Sequence, residues 1–271
     1  MRHLIRLTDW TSADVDEVFT LAHRYRADDG PRFDGAVAMF FPPSSIRTRA
    51  SFERGAAQAG LQPIVFPPDS LDKPEALEDV AGYLAQFVDA VVVRHPDISV
   101  LERLATADAV PVVNAMTDEN HPCEVLSDLF ALSLSVDPRA LRYLFVGADG
   151  NIARAWREAA RLLSLDLVHC SPAELAMADV LTTEDLEFAV SHADVILTDG
   201  PGAHAGALAD YRITADVLAK APAGVRLAPC PPFVRGREVT ADAIAGPAFV
   251  GYEFKRALAP VQQAILAHCM V

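Results

Sequence analysis

A chain of 271 residues is long enough for one large domain or for two compact lobes of roughly 130 residues each. Half of it is apolar (51%) and only 22% is charged, which excludes disorder as the dominant state. With 23 Lys and Arg against 37 Asp and Glu, the formal charge of -14 repels a polyanion, so no nucleic-acid partner is expected.

From the N-terminus, Met1 to Trp10 carries Arg2 and Arg6 and no long apolar stretch, and no later run reaches the roughly 18 residues of a membrane span. Cys123, Cys170, Cys230 and Cys269 stand far apart, without a Cys-x-x-Cys pair. That pattern fits free thiols in a reducing compartment, and a cytoplasmic protein with no membrane partner is expected. Thr11, with Asp14 three residues on, opens a helix whose Val15, Val18, Phe19 and Ala22 share one face. A strand over Ala36 to Phe41 leads through a loop into a helix from about Thr48 that stops at Gly60. Strands follow at Ile64 to Phe66, Ala90 to Val93 and Val110 to Val113, the last two separated by a short helical stretch, and Pro122 to Leu134 reads as a long helix. This β-α-β rhythm predicts a parallel sheet.

The rhythm restarts with a strand at Leu141 to Val146, a turn at Gly147 to Gly150 and a helix at Ile152 to Leu163. Leu167 to His169, Val195 to Thr198 and Val225 to Ala228 read as further buried strands, and Tyr252 to His268 as a last helix. Ser133, Ser135, Asp137 and Pro138 break the helical period between the halves. The expected division is a first lobe over 1–133, a second over 134–251, and a segment over 252–271 that packs back on the first. In open α/β sheets ligands sit at the C-terminal ends of strands. The loops at Pro42 to Arg47, Arg94 to Pro96, Asn114 to His121, Gly147 to Asn151, Thr198 to Gly206 and Pro229 to Arg235 therefore become the candidate site.

Ser44-Ser45-Ile46-Arg47-Thr48-Arg49 leaves a strand and enters a helix. Exposed backbone N–H groups, the positive end of the helix dipole, hydroxyls and a guanidinium together make an anion site suited to phosphate. By itself the stretch equally describes an N-capped helix with surface arginines. Arg94-His95-Pro96 ends a strand, and His121-Pro122-Cys123-Glu124 opens a helix. Two cationic or donor groups from separate strand ends, beside an anion cradle, suit a carbonyl oxygen that gains charge. No metal is expected, because the eight histidines lack His-Glu-x-x-His or tandem Cys spacing.

These three motifs resemble the Ser-Thr-Arg-Thr-Arg, Arg-His-Pro and His-Pro-x-Gln of the aspartate and ornithine carbamoyltransferases, in the same order and over nearly the whole chain. The resemblance implies two doubly wound parallel-sheet α/β lobes with the active site in the cleft between them. It implies that Ser45, Arg47 and Thr48 hold the phosphate of carbamoyl phosphate, while Arg94 and His121, with Thr48, polarise its carbonyl. Ser70 and Lys73 resemble a loop that aspartate enzymes reach into a neighbouring subunit, which implies a homotrimer with shared sites, although this loop is one residue shorter. In the second lobe, Asn151 matches the residue that grips the acceptor's amino-acid backbone, and Asp199 the carboxylate that draws in a side-chain amine. Cys230 and Arg235 match the ornithine-type His-Cys-Leu-Pro segment ending in Arg-Gly, so the closer likeness is to the ornithine enzymes. The implied reaction is attack of a neutral amine on carbamoyl phosphate with phosphate as leaving group, needing no cofactor.

Departures from the pattern are informative. Ile46 replaces a threonine of the phosphate motif. Glu124 replaces the glutamine that accepts from the carbamoyl NH2, and a carboxylate beside a phosphate implies either a raised pKa or a different ligand. Gly200 to Gly206 is one residue longer than the ornithine-type loop and lacks its Ser-Met-Gly, so the acceptor is ornithine or a related diamino acid. Arg154 reads either as a second carboxylate grip or as a helix charge paired with Glu158. Three other readings stand beside the ornithine-type enzyme: an aspartate carbamoyltransferase, a catalytically silent anion-binding homologue, and a dinucleotide-binding oxidoreductase. The last fits poorly, since Gly147 to Asn151 lacks Gly-x-Gly-x-x-Gly spacing and no acidic residue follows the strand near Cys170.

Overall fold

Thr11 caps the first helix, α1 (Ser12–Arg26), and exchanges bonds with Asp14: its hydroxyl accepts from the Asp14 N–H, and the Asp14 carboxylate accepts from the Thr11 N–H. The computed structural model describes all 271 residues. After α1 the chain runs through β1 (Gly35–Phe40), α2 (Arg47–Gln58), β2 (Leu61–Phe66), α3 (Leu77–Leu84), β3 (Ala90–Arg94), α4 (Ile98–Thr106), β4 (Val112–Met116) and α5 (Pro122–Ser133). The four strands form a wholly parallel sheet in the order β2-β1-β3-β4. Each helical crossover returns the next strand in the same direction, and helices cover both faces. Val91, Val92 and Val93 of β3 are accordingly all fully buried.

Gly60 ends the connection after α2 at φ +88°, where a Cβ would lie 2.2 Å from the Phe33 carbonyl oxygen; only glycine fits. β2 begins three residues earlier than its hydrophobic run suggests, because Pro63 is tolerated on an edge strand that has an unpaired side. α3 has no counterpart in the sequence reading, being short and carrying Gly82 in its interior.

The second unit opens with β5 (Arg142–Val146), α6 (Asn151–Leu163), β6 (Asp166–Cys170), β7 (Leu181–Thr183), α7 (Leu186–Val190) and β8 (Val195–Thr198). It continues with α8 (Ala215–Leu218), β9 (Arg226–Pro229) and α9 (Ala241–Ala245). Its five-stranded parallel sheet has the order β7-β6-β5-β8-β9. β7 is a three-residue, largely exposed edge strand, too short to leave a hydrophobic signature.

The backbone divides into two units, Met1–Leu134 with Lys255–Val271, and Ser135–Phe254. The C-terminal stretch begins as a 3-10 segment, Tyr252–Ala257, and becomes α10 (Leu258–Met270), with Pro260 in its first turn, where no amide hydrogen is required. α10 packs against α1, α2 and α5 and buries Val261, Ala264 and Ile265 completely. Gly55 permits the close approach to α2, since a Cβ there would stand 3.2 Å from the Ala259 carbonyl. No helix is long and apolar enough to cross a membrane.

In both sheets the strand order reverses beside the first strand of the lobe: between β1 and β3 in one, between β5 and β8 in the other. At such a switch point the flanking loops part and leave a crevice beyond the strand ends. The loops concerned carry Ser45 and Arg94 in the first lobe, and Asn151 and Asp199 in the second.

Candidate active site

The loop leaving β1 turns at Pro42, whose carbonyl accepts from the Ser45 N–H at 2.9 Å, and α2 starts at Arg47, one residue before the expected Thr48. Ser45 and Thr48 are buried, whereas the Ile46 side chain is 64% exposed. The residue that lacks the expected hydroxyl is thus exposed, as is its neighbour Arg47. α2 has no acidic residue in its first turn, so the positive end of its dipole is uncompensated. From the end of β3, the Arg94 guanidinium donates to the Ser45 hydroxyl at 3.1 Å. That bond joins the two strand ends flanking the switch point.

His121 is the N-cap of α5, with Pro122 following at the first helical position. The loop that delivers it is fixed by a buried amide network. Asn114 donates to the Ile5 carbonyl at 2.8 Å and to the Asn120 side-chain oxygen at 2.6 Å. The Thr117 hydroxyl accepts from the Asn120 and Glu119 N–H groups. Burial, with Arg94 and Lys255 nearby, pushes the His121 imidazole down to about 4 against the opposing pull of Glu124. It is therefore neutral at ordinary pH, and its Nδ1 is buried without a partner.

Glu124 lies one turn further along α5, and Asp128 one turn beyond that; both are buried. Lys255 donates to Glu124 Oε1 at 2.6 Å and to Asp128 Oδ1 at 2.5 Å. Burial acts to raise the Glu124 carboxyl, but Lys255, His121 and Arg47 together hold it below its ordinary value. Of the two alternatives drawn for Glu124, the raised pKa is corrected here, because Lys255 compensates its charge. The displaced proton affinity falls on Asp128, which burial, with Glu124 adding to it, pushes up to about 6 despite Lys255. Arg47 is exposed, yet its charge bears on Glu124 while that of Arg94 bears on His121, three residues away. Both guanidinium groups thus serve one locus.

Lys255 and Asp128 were absent from the sequence-derived candidates. Their signal was two carboxylates at i, i+4 on an apolar helix, which burial makes untenable without a cation. Lys73 and Ser70 lie on the segment after β2, where Lys73 is exposed and Ser70 half-buried. That segment is tied to the end of β3 by His95, whose Nδ1 accepts from the Asp97 N–H at 3.1 Å, leaving Nε2 to donate to Asp72 at 3.0 Å.

In the second lobe, Gly147 opens the turn before α6 at φ +151°, and the buried His169 braces it by donating from Nε2 to the Gly147 carbonyl at 2.7 Å. Asn151 is the first residue of α6. Asp199 follows β8, accepts from the Gly200 N–H at 2.8 Å, and lies so near the turn that a Cβ on Gly150 would be 3.8 Å from its Oδ2. Asp199 lines a pocket with Val146, Gly147, Pro201, Leu208 and Tyr211, and with Arg212 and Arg237. Cys230 is buried beyond β9, its N–H donating to the Thr198 carbonyl at 2.8 Å. Arg235 is exposed, stands over the Phe233 ring at 5.7 Å and donates to the Tyr252 hydroxyl at 3.2 Å. Arg154 pairs with Asp149, at 3.0 Å to the carboxylate and 2.9 Å to the carbonyl.

Residues 2–133 match the carbamoyl-phosphate-binding domain of the aspartate/ornithine carbamoyltransferases, and residues 139–269 match their aspartate/ornithine-binding domain. The chain is 30% identical to the ornithine carbamoyltransferase of Geobacter sulfurreducens over 100% of this chain and 99% of the relative. It is 34% identical to that of Sorangium cellulosum, over 91% of this chain and 90% of the relative. Among solved structures, ornithine carbamoyltransferase from Burkholderia thailandensis superposes with a TM-score of 0.91 at 27% identity, covering 100% of this chain and 99% of that one. The Pyrococcus furiosus enzyme superposes at 0.92 and 26% identity, covering 99% of this chain and 97% of that one.

Proposed function

Because the chain belongs to the aspartate/ornithine carbamoyltransferase family, we propose that it moves the carbamoyl group of carbamoyl phosphate to the amine of ornithine or a related diamino acid. The observation that carries this reading is the Arg94–Ser45 bond beside the N-terminus of α2, with His121 neutral and buried at the same locus. The phosphate rests on the Ser45 and Thr48 hydroxyls, the first N–H groups of α2 and the Arg47 guanidinium. Arg94 and His121 stabilise the charge that develops on the carbonyl oxygen. A neutral imidazole suits this role, because it donates a hydrogen bond without adding a third cation between the two guanidinium groups. Glu124, held ionised by Lys255, accepts from the carbamoyl NH2.

On the acceptor side Asn151 and Arg235 hold the amino-acid backbone, and Asp199 and Cys230 orient the nucleophilic amine. The amine nitrogen bonds to the carbonyl carbon, the C–O bond to phosphate breaks, and the departing phosphate takes the amine's proton. No metal or organic cofactor enters this sequence. The Asp199 carboxylate in the pocket beside the turn supports a diamino acid, whose side-chain ammonium it would draw in.

The reading extends to a cytoplasmic homotrimer in which the exposed Lys73 enters a neighbouring subunit's site. Phosphate release from carbamoyl phosphate, measured against ornithine, 2,3-diaminopropionate, lysine, putrescine and aspartate, tests donor and acceptor together. Release dependent on one diamino acid, with a ureido product, is expected; release with no amine, or none with any, defeats the proposal. Mixing inactive Lys73→Ala and His121→Ala chains and recovering activity in the hybrid oligomers tests the shared site.

A further inference from the structure

The Glu124, Lys255 and Asp128 cluster presents a charge problem. Two buried carboxylates share one ammonium, and neither has another hydrogen-bond partner. Glu124 is faced by Arg47 from α2, His121 at the head of α5 and Lys255 from the segment before α10, and Asp128 by Lys255 and Glu124, while Arg94 from β3 bears on His121. Without a ligand Arg47 helps to offset the surplus carboxylate at Glu124. A doubly charged phosphoryl group seated on α2 and Arg47 draws that compensation to itself, and any movement of Lys255 toward the anion strips the carboxylates further. A buried carboxylate so deprived binds a proton.

We infer that the site binds its anion together with a proton, taken from solvent by Asp128, and that Asp128 acts as a positioning residue that holds Lys255 against Glu124. The inference rests on the donor-site reading above and deepens it. Asp128 touches no substrate. It serves as an adjustable counter-charge, carboxylate when the cradle is empty and carboxylic acid when it is full. Burial at the base of α5 keeps water from taking over that task, and the site's own ionisable groups must therefore absorb the change. Linkage then requires the anion to bind more tightly as pH falls through the range in which Asp128 gains its proton.

The test uses sulfate, a dianion that does not itself titrate near neutrality, on the full chain. Calorimetric Kd values from pH 6 to pH 8 are expected to rise about tenfold in the wild type, the change for one linked ionisation whose pKa moves by about one unit. Asp128→Asn is expected to flatten that profile, and His121→Asn to retain it. Titrations in two buffers of different ionisation enthalpy should show proton uptake in the wild type and its loss in Asp128→Asn. Should that variant fail to fold, infrared difference spectra of the wild type with and without sulfate at pH 7 decide the matter, since a new protonated-carboxyl stretch is required. Sulfate binding with an unchanged pH profile in Asp128→Asn, or without that stretch, overturns the inference and leaves the carbamoyl-transfer reading standing. No sulfate binding overturns the anion cradle and the inference with it, while amine-dependent phosphate release judges the activity separately.

Discussion

In the first lobe Ser45, Thr48, His121 and Glu124 are all buried, with Arg47 and Lys73 exposed, and Ser45 and Glu124 are bonded to Arg94 and Lys255 from elsewhere in the lobe. In the second lobe Asn151 and Asp199 are half-buried, Arg235 is exposed and only Cys230 of the candidates is buried. The contrast follows from what each side is asked to do. Stabilising charge as it develops on an oxygen requires donors already oriented and shielded from water. Selecting an amine requires only a carboxylate at the right depth in a cavity whose walls are loops. The donor side is therefore built into the core, and the acceptor side onto turns.

The sharpest way to break this contrast is to remove the cation at the base of the first lobe. Lys255→Met leaves two buried carboxylates unpaired and should destabilise the protein by about 3 to 5 kcal/mol in urea unfolding, whereas Lys255→Met combined with Glu124→Gln and Asp128→Asn should recover most of that loss. A single variant as stable as the wild type would show the cluster to be solvated. Next in size, His121→Ala should lower kcat by about 10² to 10³, as for one preorganised donor, with little change in the acceptor's KM. Retention of near-normal turnover would remove His121 from the chemistry.

A pH effect distinguishes the interior lobe from a solvated one. His121 is held at about 4 against an ordinary 6.5, so the fold disfavours its protonated form. The stability it contributes is complete above pH 6.5 and is lost as pH falls toward 4, on the order of 2 to 3 kcal/mol. Urea midpoints at pH 7.5 and pH 4.5 should therefore converge in His121→Asn relative to the wild type. On the acceptor side, Asp199→Asn should raise the amine's KM about tenfold to a hundredfold through loss of one charge-assisted bond, and leave the donor's KM unaltered. An equal rise in both would place Asp199 outside the acceptor pocket. The smallest effect belongs to Arg154→Ala: its pair with Asp149 is partly exposed and should contribute less than about 1 kcal/mol.

Much of this was legible before any coordinates. Continuous apolar runs marked most strands and period-3.6 patterning the long helices, because a strand covered on both faces is apolar throughout and a helix buries one face. Thr11 with Asp14, Gly60, and Pro122 after His121 marked ends for local reasons of capping and backbone sterics. The motif residues Ser45, Arg94 and His121 stood at strand ends that strand order alone could bring to one switch point. What stayed hidden was short or distant. α3 and β7 bury too few residues to leave a pattern, and Arg154 found its partner upstream through a turn whose path no residue spacing reveals.

The clearest case is Glu124. Its chemistry and its place at a helix start were plain in the chain, and its charge state was not, because the compensating ammonium arrives from 131 residues away. Local identity determines which groups exist and which elements they sit on, since capping, periodicity and turn preferences act over a few residues. Tertiary packing alone decided which carboxyl is held below its ordinary pKa and which is pushed above it, because Coulomb interactions inside a protein depend on distances that only the folded chain sets.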